Sequence, residues 1–263
     1  MAERCYKCFR PISHCLCEYA KPEIDSGIKF LFLMHPKEAK HQRTGTGRLS
    51  HVALKDSEIL VGLDFSKDQR FNQLMNDPQY FPVMMYPGED AWTAKKEGFA
   101  EAVGNKTLLV ILIDATWFCS RKLIEHNPHL LKLPRCSFTG DYRSIFTFKR
   151  EPRPEYISTI ETCYYFIKEL QTVKTLPDQK PLVKSGIDPE PLLNVFKAKK
   201  TFNKILKVFL LLTFFQVRLS EEFPPDQIFL MQQQIILQNC KANNCNQTKL
   251  YLPNPNQNSE PVT

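Results

Sequence analysis

Four short, nearly continuous apolar runs, Ile28 to Met34, Glu58 to Leu63, Pro82 to Tyr86 and Leu108 to Ile113, alternate with polar stretches of helical pattern. Apolar runs of about four to eight residues that lack in-and-out alternation are strands covered on both faces. Helix-like segments around Arg48 to Lys55, Asp68 to Asn76 and Ala91 to Val103 lie between them. Strand and helix in alternation predict an α/β fold, a mainly parallel sheet flanked by helices. A chain of 263 residues, 43% hydrophobic and 24% charged, can bury one such core and is neither disordered throughout, collagenous nor coiled coil. No internal repeat is visible.

Open α/β sheets bind ligands beyond the carboxyl ends of their strands. The residues just past the four runs are His35-Pro36, Asp64, Pro87-Gly88 and Asp114. Turn formers occupy strand ends in any protein, so this placement selects candidates without assigning a role.

Four cysteines fall in the pattern Cys5-x2-Cys8-x6-Cys15-x-Cys17, with Arg4, Lys7 and Arg10 interleaved. Few large aliphatics accompany them, so burial alone cannot fold the segment. Zn²⁺ takes four thiolates tetrahedrally, and a Cys-x2-Cys turn presents two sulfurs to one ion. A structural zinc knuckle is predicted on these four residues, the nearby cations offsetting the negative charge of a tetrathiolate centre. His14 could replace one thiolate, and the same cysteines could hold an iron–sulfur cluster. The other five, Cys119, Cys136, Cys163, Cys240 and Cys245, read as buried or free thiols.

Nine cysteines and no apolar leader point to a reducing compartment. The longest apolar stretch, Ile205 to Val217, contains Lys207 and Gln216 and is shorter than the roughly 20 residues a membrane helix needs. A soluble, cytoplasmic protein without membrane contact is expected. The net charge of +7 favours a polyanionic partner such as nucleic acid, although such a charge can also serve solubility alone. Basic residues cluster at Lys149, Arg150 and Arg153, and again at Lys197 to Lys200 with Lys204 and Lys207.

Asp114-Ala115-Thr116-Trp117 follows the most hydrophobic run. A carboxylate, a hydroxyl and an indole on one turn could supply a proton acceptor, an orienting hydrogen bond and a stacking face. Equally, Asp114 or Thr116 could cap the next helix while Trp117 fills the interface. Ser158-Thr159-Ile160-Glu161 forms a capping box ahead of an apolar stripe at Ile160, Cys163, Tyr164, Ile167 and Leu170. Asp188-Pro189 marks another helix start. The 41 residues from Phe223 hold 14 Asn or Gln and five Pro, the composition of a mostly disordered tail. The expected organisation is a knuckle over 1–22, a main domain over 23–222 and a tail over 223–263.

The four-Cys knuckle, Tyr86-Pro87-Gly88, Asp114-x-Thr116-Trp117 and Ser158-Thr159-Ile160-Glu161, in this order, resemble the DTW-domain family of tRNA-uridine aminocarboxypropyltransferases. His35-Pro36-Lys37-Glu38 and Thr46-Gly47-Arg48-Leu49 extend the likeness, with Gly45 where the family often has Asn. The resemblance spans about Cys5 to Leu170. It implies a SPOUT-like, trefoil-knotted fold, S-adenosylmethionine as donor, tRNA as partner, and no obligate protein partner beyond a monomer or homodimer. The implied reaction transfers a 3-amino-3-carboxypropyl group to N3 of a tRNA uridine and releases 5′-methylthioadenosine. Asp114 is then the base. Thr116, Trp117, Pro87, Gly88, Ser158, Thr159 and Glu161 surround the donor, and Lys149, Arg150 and Arg48 contact RNA. Alternatives are an rRNA acceptor, methyl transfer from the same donor, or a zinc-stapled RNA-binding module without catalysis.

Overall fold

The computed structural model describes residues 3–41, 45–93, 96–138, 140, 142–144, 157–175 and 177–199. All but 197–199 belong to one compact unit, Met1–Phe196; a second unit, Lys197–Thr263, contributes only those three. The tail over 223–263, the apolar segment 202–219 and the residues Lys200, Lys204 and Lys207 therefore lie outside the described residues.

Two short 3-10 turns, Ile12–His14 and Cys17–Ala20, precede the sheet. Among the described residues five strands follow: β1 (Lys29–Met34), β2 (Ser57–Val61), β3 (Tyr80–Met85), β4 (Thr107–Asp114) and β5 (Arg135–Cys136). Helices α1 (Pro36–His41), α2 (Thr46–Ala53), α3 (Gln69–Asn76), α4 (Phe99–Val103) and α5 (Trp117–His126) lie between them, and α6 (Thr159–Leu170) comes after β5. The strands lie in the order β2-β1-β4-β3-β5, every pairing parallel, so the expected α/β architecture is the observed one. Among the described residues no helix is long and apolar enough to cross a membrane.

Burial on both faces explains the continuous apolar runs of β1 and β4; β2 and β3 are only partly buried, and Val61 at the end of β2 is 50% exposed, against the expectation of cover on both faces. All six residues of β1 are buried, and Leu31, Leu33, Leu109, Ile111 and Met84 form one core cluster with Phe71 and Leu74 of α3 and Leu123 of α5. Their alternates, Phe30, Phe32, Leu108, Val110 and Leu112, are buried on the other face, where α2 and α6 pack on each other and on β2 and β4. Each such side chain contributes roughly 1.5–3 kcal/mol. Asn127, fully buried, ties the loop after β2 to α5: its Oδ1 accepts from the Phe65 N–H at 2.7 Å, and its Nδ2 donates to Leu63 O and Leu123 O.

One helix expectation needs correction. The helix expected over Ala91 to Val103 forms only as α4, because Trp92 pairs its backbone with Arg135 and Ser137 beside β5 and Gly98 turns left-handed at φ +85 before Phe99. β5 has two residues, too few to show any periodicity. The helix announced by Asp188-Pro189 is present over 190–199, with Asp188 Oδ1 accepting from the Glu190 N–H at 3.0 Å.

Lys29 is the one charged residue of β1 and is 7% exposed. An ammonium so placed is costly unless paired. Its Nζ lies 2.8 Å from Asp56 and 2.6 Å from Glu58, and Arg70 donates two bonds to Glu58 at 2.8 and 2.6 Å. The Arg70 hydrogen bonds, aided by Lys29 and opposed by burial, hold the Glu58 carboxyl down at about 2. A carboxyl lowered on folding stabilises the fold above its unfolded value and loses that contribution as pH falls through the folded one. Glu58→Gln is therefore expected to flatten the loss of stability between pH about 4.5 and about 2. Urea unfolding at a series of pH values measures this; Asp25, also held at about 2 by Lys184 and Lys55, keeps part of the slope.

Candidate functional site

The four knuckle cysteines bring their sulfurs within 4.8 Å of one another. Cys5 and Cys17 sulfurs are 3.6 Å apart, Cys8 and Cys15 sulfurs 3.7 Å, and none is in a disulfide. Zn–S bonds of about 2.3 Å set tetrahedral edges of about 3.8 Å, so this donor set could hold a metal ion and is compatible with zinc. His14 is not in the set; its Nδ1 pairs with Ser13 Oγ at 2.9 Å. Arg10 lies in the field of Cys8 and Cys15 and bonds His14 O at 2.9 Å, as charge compensation requires. Lys7 instead pairs with Glu23 at 3.4 Å.

Phe9 follows the Cys5-x2-Cys8 turn with φ +59, a left-handed conformation in which its N–H closes on Cys5 O at 2.8 Å. Its ring lies 4.4 Å from the guanidinium carbon of Arg48 in the first turn of α2. The knuckle thus leans on the helix that carries Thr46-Gly47-Arg48-Leu49.

The second locus is the carboxyl edge of the sheet. After β1 the chain runs toward β2, and after β4 it runs the other way toward β5, so the gap between β1 and β4 is the topological switch point. His35 and Asp114 stand there, with the His35 N–H bonding Asp114 O at 3.2 Å. Asp114 closes β4 and is 6% exposed. Its Oδ1 accepts from Thr159 Oγ1 at 2.8 Å, at the first residue of α6. Its carboxylate also fills the space above Gly47, where any Cβ would overlap it. Gly45 offers α2 no side-chain cap, so the Asp114 carboxylate is the anion beside that helix start. Two helix N-termini, those of α2 and α6, face one buried carboxylate.

This geometry separates the two readings of the Asp114 turn. Thr116 caps α5, accepting from the Cys119 N–H at 3.4 Å, whereas Asp114 reaches away to α2 and α6. Trp117 opens α5; its side chain lies outside the described residues, as do Lys149, Arg150 and Arg153. The capping box of α6 is present: Glu161, fully buried, accepts on Oε2 from the Ser158 N–H, Ser158 Oγ and Ser144 Oγ at 2.8, 2.6 and 2.8 Å.

Pro87 and Gly88 follow β3, one strand away from β4. A Cβ on Gly88 would come within 2.7 Å of the Arg135 guanidinium, which pairs with Asp90. The glycine therefore admits an arginine of β5, and sequence reasoning missed that arginine. Gly47 and Asp114 were both visible in the sequence, but their contact was not. His35, 5% exposed, donates no charge to the site: burial pushes its imidazole down, as do Lys37 and Lys122 nearby.

Gly47→Ala is expected to cost about 1–3 kcal/mol by forcing Asp114 from its seat. Denaturant unfolding measures it, and adding Asp114→Ala should recover part of the loss; unchanged stability of Gly47→Ala would contradict the contact. Metal analysis of the purified chain should find about one zinc per molecule, lost in Cys8→Ser together with a fall in thermal midpoint.

The family model for the DTW domain matches residues 2–207, from ahead of the knuckle to beyond α6. No solved structure matches the chain. The matched span covers the knuckle, the seat of Asp114 on Gly47 and the capped start of α6, and family membership of this kind suggests a tRNA-modifying transferase. The chain belongs to the DTW-domain family, that of the tRNA-uridine aminocarboxypropyltransferases.

Proposed function

We propose that the protein transfers the 3-amino-3-carboxypropyl group of S-adenosylmethionine to N3 of a uridine in tRNA, releasing 5′-methylthioadenosine. The observation that carries this reading is the Asp114 carboxylate at the β1/β4 switch point, held by Thr159 and seated on Gly47, in a chain of the DTW family. The sulfonium donor makes each carbon on its sulfur electrophilic, and the site selects the product by which carbon faces the nucleophile. N3–H of uridine is a weak acid, so a fixed carboxylate that accepts its proton raises the share of reactive anion. Asp114 takes that proton. Thr159 and the two helix ends aim the carboxylate.

The start of α6 suits the donor's carboxylate, because N–H groups there lack helical partners. Thr159 presents one, while the Ser158 N–H is already held by the Glu161 carboxylate and Ser158 shapes the turn. Glu161, with three bonds on Oε2, serves the donor by fixing this turn. Pro87-Gly88 lets the donor approach the backbone closely. Thr116 and Trp117 set the loop that lines the nucleotide, and Lys149, Arg150 and Arg48 hold RNA phosphate. The knuckle over 1–22 with Zn²⁺, a SPOUT-like knotted domain over 23–222, a tail over 223–263, a cytoplasmic location and a monomeric or dimeric state complete the reading.

The test is nucleoside mass spectrometry of tRNA incubated with the protein and labelled donor. Labelled aminocarboxypropyl-uridine with methylthioadenosine is expected; methylated product with S-adenosylhomocysteine, or no product in tRNA, would overturn it. Asp114→Asn should lower turnover roughly 10²- to 10⁴-fold while donor and tRNA binding persist. Normal turnover would remove Asp114 from the role of base.

A further inference from the structure

Phe118, in the first turn of α5, is 66% exposed. It lies four residues past Asp114, on the same edge of the sheet as the switch point. The Lys122 ammonium stands 4.9 Å from its ring centroid, one helical turn on. Arg121 and Lys122 are exposed, and so is Lys37 of α1 across the end of β1. Lys37 and Lys122 bear on the same imidazole, that of His35, so cations from two elements converge on this rim. The acidic residues of these two helices are Glu38 and Glu125.

Among the described residues Phe118 is the one exposed aromatic on this helix, and one aromatic among cations does not suit an apolar protein partner, which needs a contiguous patch. The other exposed large hydrophobics of the described residues, Tyr6, Ile12, Val61, Leu63 and Leu131, sit on other elements. It does suit single-stranded nucleic acid, in which bases stack on aromatic faces while phosphates meet Lys and Arg. N3 of a uridine is hidden in a duplex, so the strand reaching Asp114 must be unpaired there and a neighbouring base is free to stack.

We infer that the start of α5 is a nucleotide-binding rim: Phe118 stacks a base flanking the modified uridine, and Arg121, Lys122 and Lys37 contact the adjoining phosphates. This rests on the RNA reading of the site and adds a second point of contact that fixes the strand's register.

The test uses the full chain, a fluorescein-labelled oligouridylate and tRNA, with binding followed by anisotropy at several salt concentrations. Phe118→Ala should weaken oligouridylate binding roughly five- to 150-fold, and Phe118→Leu nearly as much. Phe118→Trp should bind as the native chain does, which a merely structural role for an exposed ring would not demand. Lys122→Ala should lower the slope of log affinity against log salt by about 0.7. Equal binding by Phe118→Ala and the native chain overturns this inference alone; a native chain that binds neither RNA overturns it together with the proposed function. Thermal midpoints of the variants should match the native one, and a fall in Phe118→Ala that Phe118→Trp does not restore also overturns it.

Discussion

A carboxylate placed where a glycine has no side chain holds this site together. Asp114 ends the central strand, bonds the first residue of α6 and occupies the room left over Gly47 in α2. Sheet and two helices are thereby fixed to within a hydrogen bond of one another. Helices start with unsatisfied N–H groups, and an anion placed between two such starts satisfies an electrostatic need of both. The same anion is the group best placed for proton transfer, so the interaction that assembles the edge is also the one the proposed chemistry uses.

The knuckle connects to this assembly through the turn Cys17–Ala20, which packs on α2, and through the side chain of Arg48. Arg48 is adjacent to Gly47 and its guanidinium rests on the ring of Phe9, one residue from the metal-type ligand Cys8. Four cysteines that could hold a metal ion sit in about a dozen residues with too little apolar surface to fold by burial. The knuckle's order is passed to α2 by the Cys17–Ala20 turn and a cation–π contact, and α2 in turn bears on Asp114.

What the sequence made legible was local. β1 and β4 were visible because burial on both faces leaves an uninterrupted apolar run, β2 and β3 because their short apolar runs end at turn residues, and α6 because Ser158 and Glu161 announce their own reciprocal bonds. The knuckle was visible because metal ligands keep close spacing. β5 was not, since two residues carry no pattern, and α4 was overdrawn because backbone pairing of Trp92 with β5 overrides the helical pattern of residues 91–98. The readings of Asp114 stayed balanced because its partners are remote in sequence: Thr159 lies 45 positions on, and Gly47 far upstream. Arg135 beside Gly88 was invisible for the same reason. Strand order brings such residues together, and local spacing does not encode it.

The strand order also bears on how the chain is made. β1 pairs on one side with β2 but on the other with β4, so Phe30 must wait for Val110. During synthesis the first strand, buried on both faces in the finished protein, leaves the ribosome long before its inner neighbour exists. Pairings this distant in sequence form slowly and leave apolar surface uncovered meanwhile. The nascent amino-terminal half is thus a natural client for chaperones until the strand carrying Asp114 emerges to complete the sheet.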